Sequence, residues 1–168
     1  MRKLLCILLA IFSLLGIAGC GYSAPIPENS IVVYYKTDKP EYGAEDGLIA
    51  ATYMDSVGRE NDYLYLLNQY LRSTPGEGFS VTFPSGVSLN SFRLEALTAK
   101  VVLNSQIAGY SGMDLTVALT CLTKTIMSLT GCHEVIISAS GTLINGESFI
   151  TLNQDSFLLM DNSGNAQN

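Results

Sequence analysis

Thr98-Ala99-Lys100-Val101-Val102-Leu103-Asn104 is the stretch on which the fold turns. Ala99, Val101 and Leu103 alternate with Thr98, Lys100 and Val102, so the strand presents an apolar row to one side only. Val87 to Leu94 reads as a strand before it, with Glu95-Ala96-Leu97 as the connection of a hairpin. Downstream, Leu115, Ala118, Leu119, Leu122, Ile126 and Leu129 recur at i, i+3, i+4 and i+7. That spacing predicts an amphipathic helix from about Met113 to Leu129, and Gly131 sits where a C-terminal cap belongs. Val135-Ile136-Ile137 carries the next strand, and Gly141 turns the chain toward a short segment around Ser148 to Leu152.

Upstream, Phe83-Pro84-Ser85-Gly86 is a turn by composition. A first helix is expected from about Val57 to Arg72, capped by Asp55 or Ser56 and stopped by Pro75-Gly76. Leu64, Leu67 and Leu71, with Tyr63, Leu66 and Tyr70 beside them, give its apolar stripe. Ile31-Val32-Val33-Tyr34-Tyr35 is β-branched and aromatic, a buried strand by composition. Thr37 to Gly47 is a loop ending in a turn. Leu48 to Met54 is a second strand, although its Ala50-Ala51 pair also suits a helix. The order is strand, strand, helix, hairpin, helix, strand. It predicts an α+β domain: a small, mostly antiparallel sheet with two amphipathic helices on one face.

The amino terminus has a different character. Arg2-Lys3 is a basic n-region, Leu4 to Leu15 an apolar h-region, and Ile17-Ala18-Gly19-Cys20 closes it with small residues before a cysteine. This is the order of a secretory signal peptide. The apolar run falls short of the roughly 20 residues that span a bilayer. A cysteine at the processing point resembles a bacterial lipobox, which makes Cys20 the expected lipidation site, taking diacylglycerol with palmitate-type chains. The expected organisation is a lipoprotein signal peptide at 1–19, a tether at 20–30, a single domain at 31–155 and a C-terminal tail at 156–168. The tether carries Pro25 and Pro27 and reads as extended. Removing 1–19 from the 168 residues leaves 149, enough for one self-sufficient core. Seven basic residues then stand against fifteen acids, a net of −8. Such a domain repels phosphate backbones, so no nucleic-acid partner is expected.

Candidate chemistry is sparse. Cys6 leaves with the signal and Cys20 takes the lipid, so Cys121 and Cys132 remain. Export permits a bridge between them. Against it, the helix rises roughly 12 Å after Cys121 before the chain can turn, and bridged Cα atoms lie within about 7 Å. Two free, partly buried thiols are expected. His133 stands alone as a histidine, with Ser128, Ser138 and Glu134 near it in sequence. No nucleophile–base–orienter set can be assembled from them, so no catalytic residue is expected. Cys132-His133-Glu134 lacks a partner cluster at ligand spacing, so no metal and no cofactor are expected. Gly109-Tyr110-Ser111-Gly112 precedes a helix without a phosphate-loop pattern and reads as a loop with an N-cap. Glu45-Asp46 reads as a solvated loop. Nine tyrosines are the one positive sign, and they include the groups Tyr34-Tyr35, Tyr63-Tyr65 and Tyr70. Exposed tyrosine suits a protein or glycan interface.

Taken together, these pieces resemble a known family. Tyr63-Leu64-Tyr65-Leu66-Leu67, Phe83-Pro84-Ser85-Gly86-Val87-Ser88-Leu89, Ala99 to Asn104, and Leu115–Leu129 followed by Val135-Ile136-Ile137-Ser138-Ala139-Ser140-Gly141 look like the GerMN domain of sporulation and spore germination proteins. The opening Ile31 to Tyr35 matches that family's first strand, and the resemblance runs from about Ile31 to Leu152. Phe83 stands where the family has an aliphatic residue, Val87 where it has Thr, and Asn104 where it has Ser. The resemblance implies a ring-building-module-like fold, anchorage in the membrane, and a scaffolding or interaction role in sporulation, germination or envelope assembly. No enzymatic activity comes with it. The expected partners are the membrane, through the diacylglycerol anchor, a protein of the cell envelope and, weakly, a second copy of the chain. The expected location is the outer face of the cytoplasmic membrane in a spore-forming or related Gram-positive bacterium. A small-molecule or glycan-binding lipoprotein serving a transporter or wall sensing is the alternative. Ile31–Tyr35 has no proline or charge to guard it if it lies at a sheet edge, and it reads equally as a central strand.

Overall fold

The computed structural model describes residues 27–40 and 47–156. Cys20, the signal segment, most of the tether, Glu45-Asp46 and the tail beyond Ser156 lie outside the described residues. The elements in order are β1 (Ser30–Lys36), β2 (Ile49–Asp55), α1 (Tyr63–Arg72), β3 (Leu89–Glu95), β4 (Thr98–Leu103), a 3₁₀ turn at Ser105–Gly109, α2 (Gly112–Thr130), β5 (Glu134–Ala139) and β6 (Ile150–Asn153). The α+β class is as expected, and its strands fall into two sheets. β1 and β2 form an antiparallel hairpin by themselves, and the other four lie side by side in the order β3-β4-β5-β6. β3/β4 and β5/β6 are antiparallel. β4/β5 is parallel, which requires the long crossover that α2 supplies.

That crossover helix is the centre of the molecule. Residues Val117 through Thr123 are all buried, so α2 is covered on more than its one expected stripe. It packs against β1 on the hairpin side and against β5 and β6 on the sheet side. Asp114 and Thr125 mark the hairpin side: Asp114 pairs with Lys36 at 3.0 Å, and Thr125 Oγ1 accepts the Tyr34 N–H at 3.0 Å. The buried Val117 and Cys121 add a second apolar surface to the predicted stripe. Gly131 ends the helix in the left-handed region, φ 70°, as a C-terminal glycine does.

α1 begins at Tyr63, not near Val57. Asp62 is its N-cap and accepts the Tyr65 N–H at 3.1 Å. The expected caps are occupied otherwise: the Asp55 carboxylate accepts the Val57 N–H at 3.0 Å, closing a turn that Gly58 continues at φ 69°. Asx-type closure competes with helix initiation at such a site. Leu66, Leu67, Tyr70 and Leu71 form the buried face, while Leu64 turns outward.

The predicted hairpin is a two-residue turn, since Glu95 pairs with Thr98. Ala96 takes φ 51° there, a position that favours glycine. The Pro84-Ser85-Gly86 turn is closed by the Val87 N–H to the Pro84 carbonyl at 3.2 Å. Asn104 fastens it to the end of β4: its side-chain amide donates to the Gly86 carbonyl at 2.8 Å and to Ser88 Oγ at 3.0 Å. Its Oδ1 accepts the backbone N–H groups of Ser88 and Gln106 at 3.3 Å each. Phe83, Val87 and Asn104, the positions that depart from the family pattern, are thus structural, with Phe83 and Val87 in the core.

Cys121 and Cys132 are both free and buried. Burial pushes the Cys121 thiol well above the ordinary cysteine range, with Lys124 pulling weakly the other way. The stability consequence has a definite sign. An acid whose folded pKa is raised adds stability below its unfolded pKa, about 8.5 for cysteine, and loses it as pH climbs toward the folded value. By pH about 9.5 the loss from this one group should be about 1.4 kcal/mol. Urea midpoints at pH 7.5 and 9.5 check it. Cys121→Ala should fall less between those two pH values than the parent does, whatever its cost at pH 7.5. Equal slopes would show that Cys121 does not report the burial described.

Candidate interaction surface

The two edges of the β1–β2 hairpin differ in a way the sequence does not reveal. In the register Val33↔Thr52 and Tyr35↔Ala50, continued by the Thr37 N–H to the Leu48 carbonyl at 2.9 Å, these pairs bond across the hairpin. The residues between them therefore point their N–H and C=O groups outward. On β1 those are Tyr34 and Lys36, and every one of their groups is met from inside the domain. Tyr34 N–H donates to Thr125 Oγ1 at 3.0 Å, and Lys36 N–H donates to Thr82 Oγ1 at 2.9 Å. The Tyr34 carbonyl accepts the Tyr70 hydroxyl. The Lys36 carbonyl accepts the Ser80 N–H at 2.8 Å. Ile31–Tyr35 is accordingly no free edge over this half. Buried hydroxyls from α1, α2 and the loop before β3 close it.

β2 is the opposite case. By the same register Ala51 and Tyr53 turn their N–H and C=O groups away from β1, and these meet no partner among the described residues. Ala51 is exposed and Tyr53 is 45% exposed. β2 carries no proline and, before Asp55, no charge, so the devices that blunt an edge strand are missing.

The end of β2 opens into a shallow pocket of about 300 Å³, bounded by Met54, Asp55, Arg59, Tyr65 and Gln69. The Arg59 guanidinium lies 4.7 Å from the Tyr65 ring centre and 3.5 Å from the Asp62 carboxylate. Gln69 donates to the Tyr65 hydroxyl at 3.0 Å. Among the expected tyrosine groups, Tyr65 faces out, Tyr34 and Tyr63 are half-buried, and Tyr35 and Tyr70 belong to the core. Tyr53, in none of those groups, is the exposed tyrosine on the open edge. Rigid, amphipathic aromatic side chains of this kind supply interface anchors at low entropic cost.

A second surface is the outer face of the four-stranded sheet. Lys100 stands in it, 2.6 Å from the Glu95 carboxylate, with Arg93 at 3.6 Å from the same group. The hydrogen bond from Lys100 and its charge lower the Glu95 pKa. These exposed pairs are screened and weak, and they give the face a polar character.

His133 lies exposed at the junction between α2 and β5, and its backbone N–H donates to the Leu97 carbonyl at 2.8 Å, tying β5 to the hairpin turn. Its side chain borders an open cleft of about 800 Å³ that also includes Tyr34, Lys124, Ser128, Glu134 and Asp155. Ser128 is thus brought near His133. Ser138 is directed to the Val101 carbonyl at 3.4 Å, and the Glu134 carboxylate accepts the Thr98 hydroxyl at 3.4 Å. Among the described residues no cluster of three His, Cys, Asp or Glu could hold a metal. Ser111 occupies the N-cap position of α2 without a side-chain capping bond, so the Gly109–Gly112 segment is a loop entering a helix. No helix among the described residues is long and apolar enough to cross a membrane.

Against known proteins, the family model Germane, described as sporulation and spore germination, matches residues 32–145. The chain belongs to the Germane family. The first GerMN domain of the sporulation protein GerM from Bacillus subtilis shares the fold, with a TM-score of 0.52 at 17% identity over 73% of this chain and 98% of that domain. A protein from Clostridium perfringens, provisionally described as a lipoprotein, gives a TM-score of 0.47 at 16% identity over 75% of this chain and 87% of its own. The tandem GerMN domains of the same GerM give 0.45 at 18%, over 72% of this chain and 43% of theirs. No curated protein matches the sequence. The matched span runs from β1 through β5.

Proposed function

We propose that this Germane domain is the contact module of a non-catalytic lipoprotein, anchored through Cys20 on the extracytoplasmic face of the membrane. It would serve sporulation, germination or envelope assembly. The observation that carries the reading is the edge of β2, where the outward backbone groups of Ala51 and Tyr53 meet no partner among the described residues and Tyr53 is exposed. An extended segment of an envelope protein can add to such an edge, taking affinity from main-chain hydrogen bonds and specificity from the flanking side chains. A second copy of the chain could pair weakly at the same edge. His133 is assigned no chemistry. The mixed lining of the cleft beside it favours one second reading, a small polar ligand or glycan fragment, which a saturable titration of the purified domain would reveal.

The tether is tested at Cys20. Two acyl chains anchor a protein stably where one binds only reversibly. Cys20→Ala should therefore abolish acylation and cleavage at this site, leaving a precursor of higher mass that retains residues 1–19. A variant that still matured to the parent mass and fractionated with membranes would contradict the assignment. The contact itself is read by a photoreactive residue at Tyr53 in cells, which should capture one envelope protein and not a cross-section of the membrane.

A further inference from the structure

We propose that the segment which adds to β2 is basic, with a lysine or arginine directly opposite Asp55. This rests on the edge contact proposed above and gives its partner a chemistry. Ala51, Tyr53 and Asp55 alternate along β2 and are all exposed, so their side chains share one face beside the outward edge. An added strand would set its own alternate residues against them, one facing the small Ala51, one the Tyr53 ring and one the Asp55 carboxylate. Side chains directly opposed on neighbouring strands interact as pairs, opposite charges favourably and like charges unfavourably. The residue against Asp55 is therefore the one whose charge the edge selects.

Asp55 has no cation of its own. One of its carboxylate oxygens accepts the Val57 N–H at 3.0 Å, and no basic side chain pairs with the group among the described residues. Arg59, the nearest basic residue in sequence, is engaged elsewhere, over the Tyr65 ring and beside Asp62. Glu60, in the turn that follows β2, accepts the Gly58 N–H at 2.9 Å and likewise meets no cation among the described residues. This end of the edge thus presents negative charge left unanswered by the domain around it. A second copy of the chain is a poor occupant, because without residues 1–19 each copy brings fifteen acids against seven basic residues. A lysine or arginine of another envelope protein can lay its apolar stem along the exposed Tyr53 ring and hold its charge at Asp55.

The test uses the full chain in cells, with an aromatic photoreactive residue at position 53 and the adduct mapped by mass spectrometry. The captured stretch should carry a lysine or arginine two residues from the crosslinked one. Asp55→Asn keeps the side-chain oxygen that accepts the Val57 N–H and removes only the charge. At equal protein level it should lower the adduct yield roughly two- to fivefold, the range expected of one cross-strand charge pair. Asp55→Lys should lower it further, and exchanging the partner's cation for glutamate should then restore it. An acidic residue at the place of the cation would overturn the proposal while leaving the edge contact standing. So would a yield that neither Asp55 variant changes, or capture of a second copy of this chain. No adduct from position 53 in the folded parent would overturn the edge contact and the proposal together.

Discussion

Tyr70→Ala should cost the domain about 4 kcal/mol, at the upper end of what deleting one buried aromatic removes. Tyr70 is fully buried, with its ring 5.0 Å from that of Tyr35 and 5.1 Å from that of Phe83. Its hydroxyl donates to the Tyr34 carbonyl and its own carbonyl accepts the Tyr35 hydroxyl at 3.2 Å. One side chain on α1 thus packs the interior and closes the edge of β1. Domains of this size are stable by about 5–15 kcal/mol in all, so the loss should be visible at once in a urea titration. Tyr70→Phe separates the two roles. It keeps the ring and leaves the Tyr34 carbonyl without a donor, for an expected cost of about 1–3 kcal/mol. Burial raises the Tyr70 pKa well above the ordinary tyrosine value, so the hydroxyl remains protonated, and a donor, throughout the neutral range. A Tyr70→Phe protein as stable as the parent would mean that Thr82, Thr125 and the Ser80 N–H hold the β1 edge without it.

The parts of the fold that could be read from sequence are those with a strict period or a strong turn residue. Ala99, Val101 and Leu103 alternate, and the structure buries all three. Gly131 is a helix cap because its left-handed conformation suits glycine. The full burial of α2 is hidden in the sequence because threonines flank its apolar stripe on both sides. Thr120, Thr123 and Thr125 read as the polar side of an amphipathic helix, yet all three are buried, and Thr125 is there to meet a strand backbone. Splitting the strands into two sheets has the same origin, since a helix covered on two sides needs a layer on each. The start of α1 was misplaced because Asp55 and Asp62 are equally good caps in sequence. Only the turn at Gly58 decides between them.

The candidate surface was legible as a kind and not as a place. Strand composition shows that Ile31–Tyr35 is unguarded if it lies at an edge, and reads it equally as a central strand. Which edge stays open depends on Thr82, Thr125 and Tyr70, side chains far away in sequence that supply hydroxyls to β1 and none to β2. Asn68 was invisible for a similar reason: it accepts the Leu89 N–H at 2.9 Å and donates to the Leu89 carbonyl at 3.2 Å, fixing α1 to β3. Long-range polar contacts of this kind leave no periodic trace.

Contact along β2 is the claim on which the functional account rests, and a proline scan combined with crosslinking in cells addresses it. The Ala51 N–H points outward, so Ala51→Pro removes a donor that the hairpin does not use, as edge strands tolerate. Thr52→Pro removes a donor that pairs with Val33 and should disrupt the hairpin itself. The decisive measurement is the yield of the adduct from a photoreactive residue at position 53, with and without Ala51→Pro, in a chain shown to remain folded and membrane-bound. The account predicts a single envelope-protein adduct that Ala51→Pro abolishes. The same adduct at undiminished yield in the Ala51→Pro chain would contradict it.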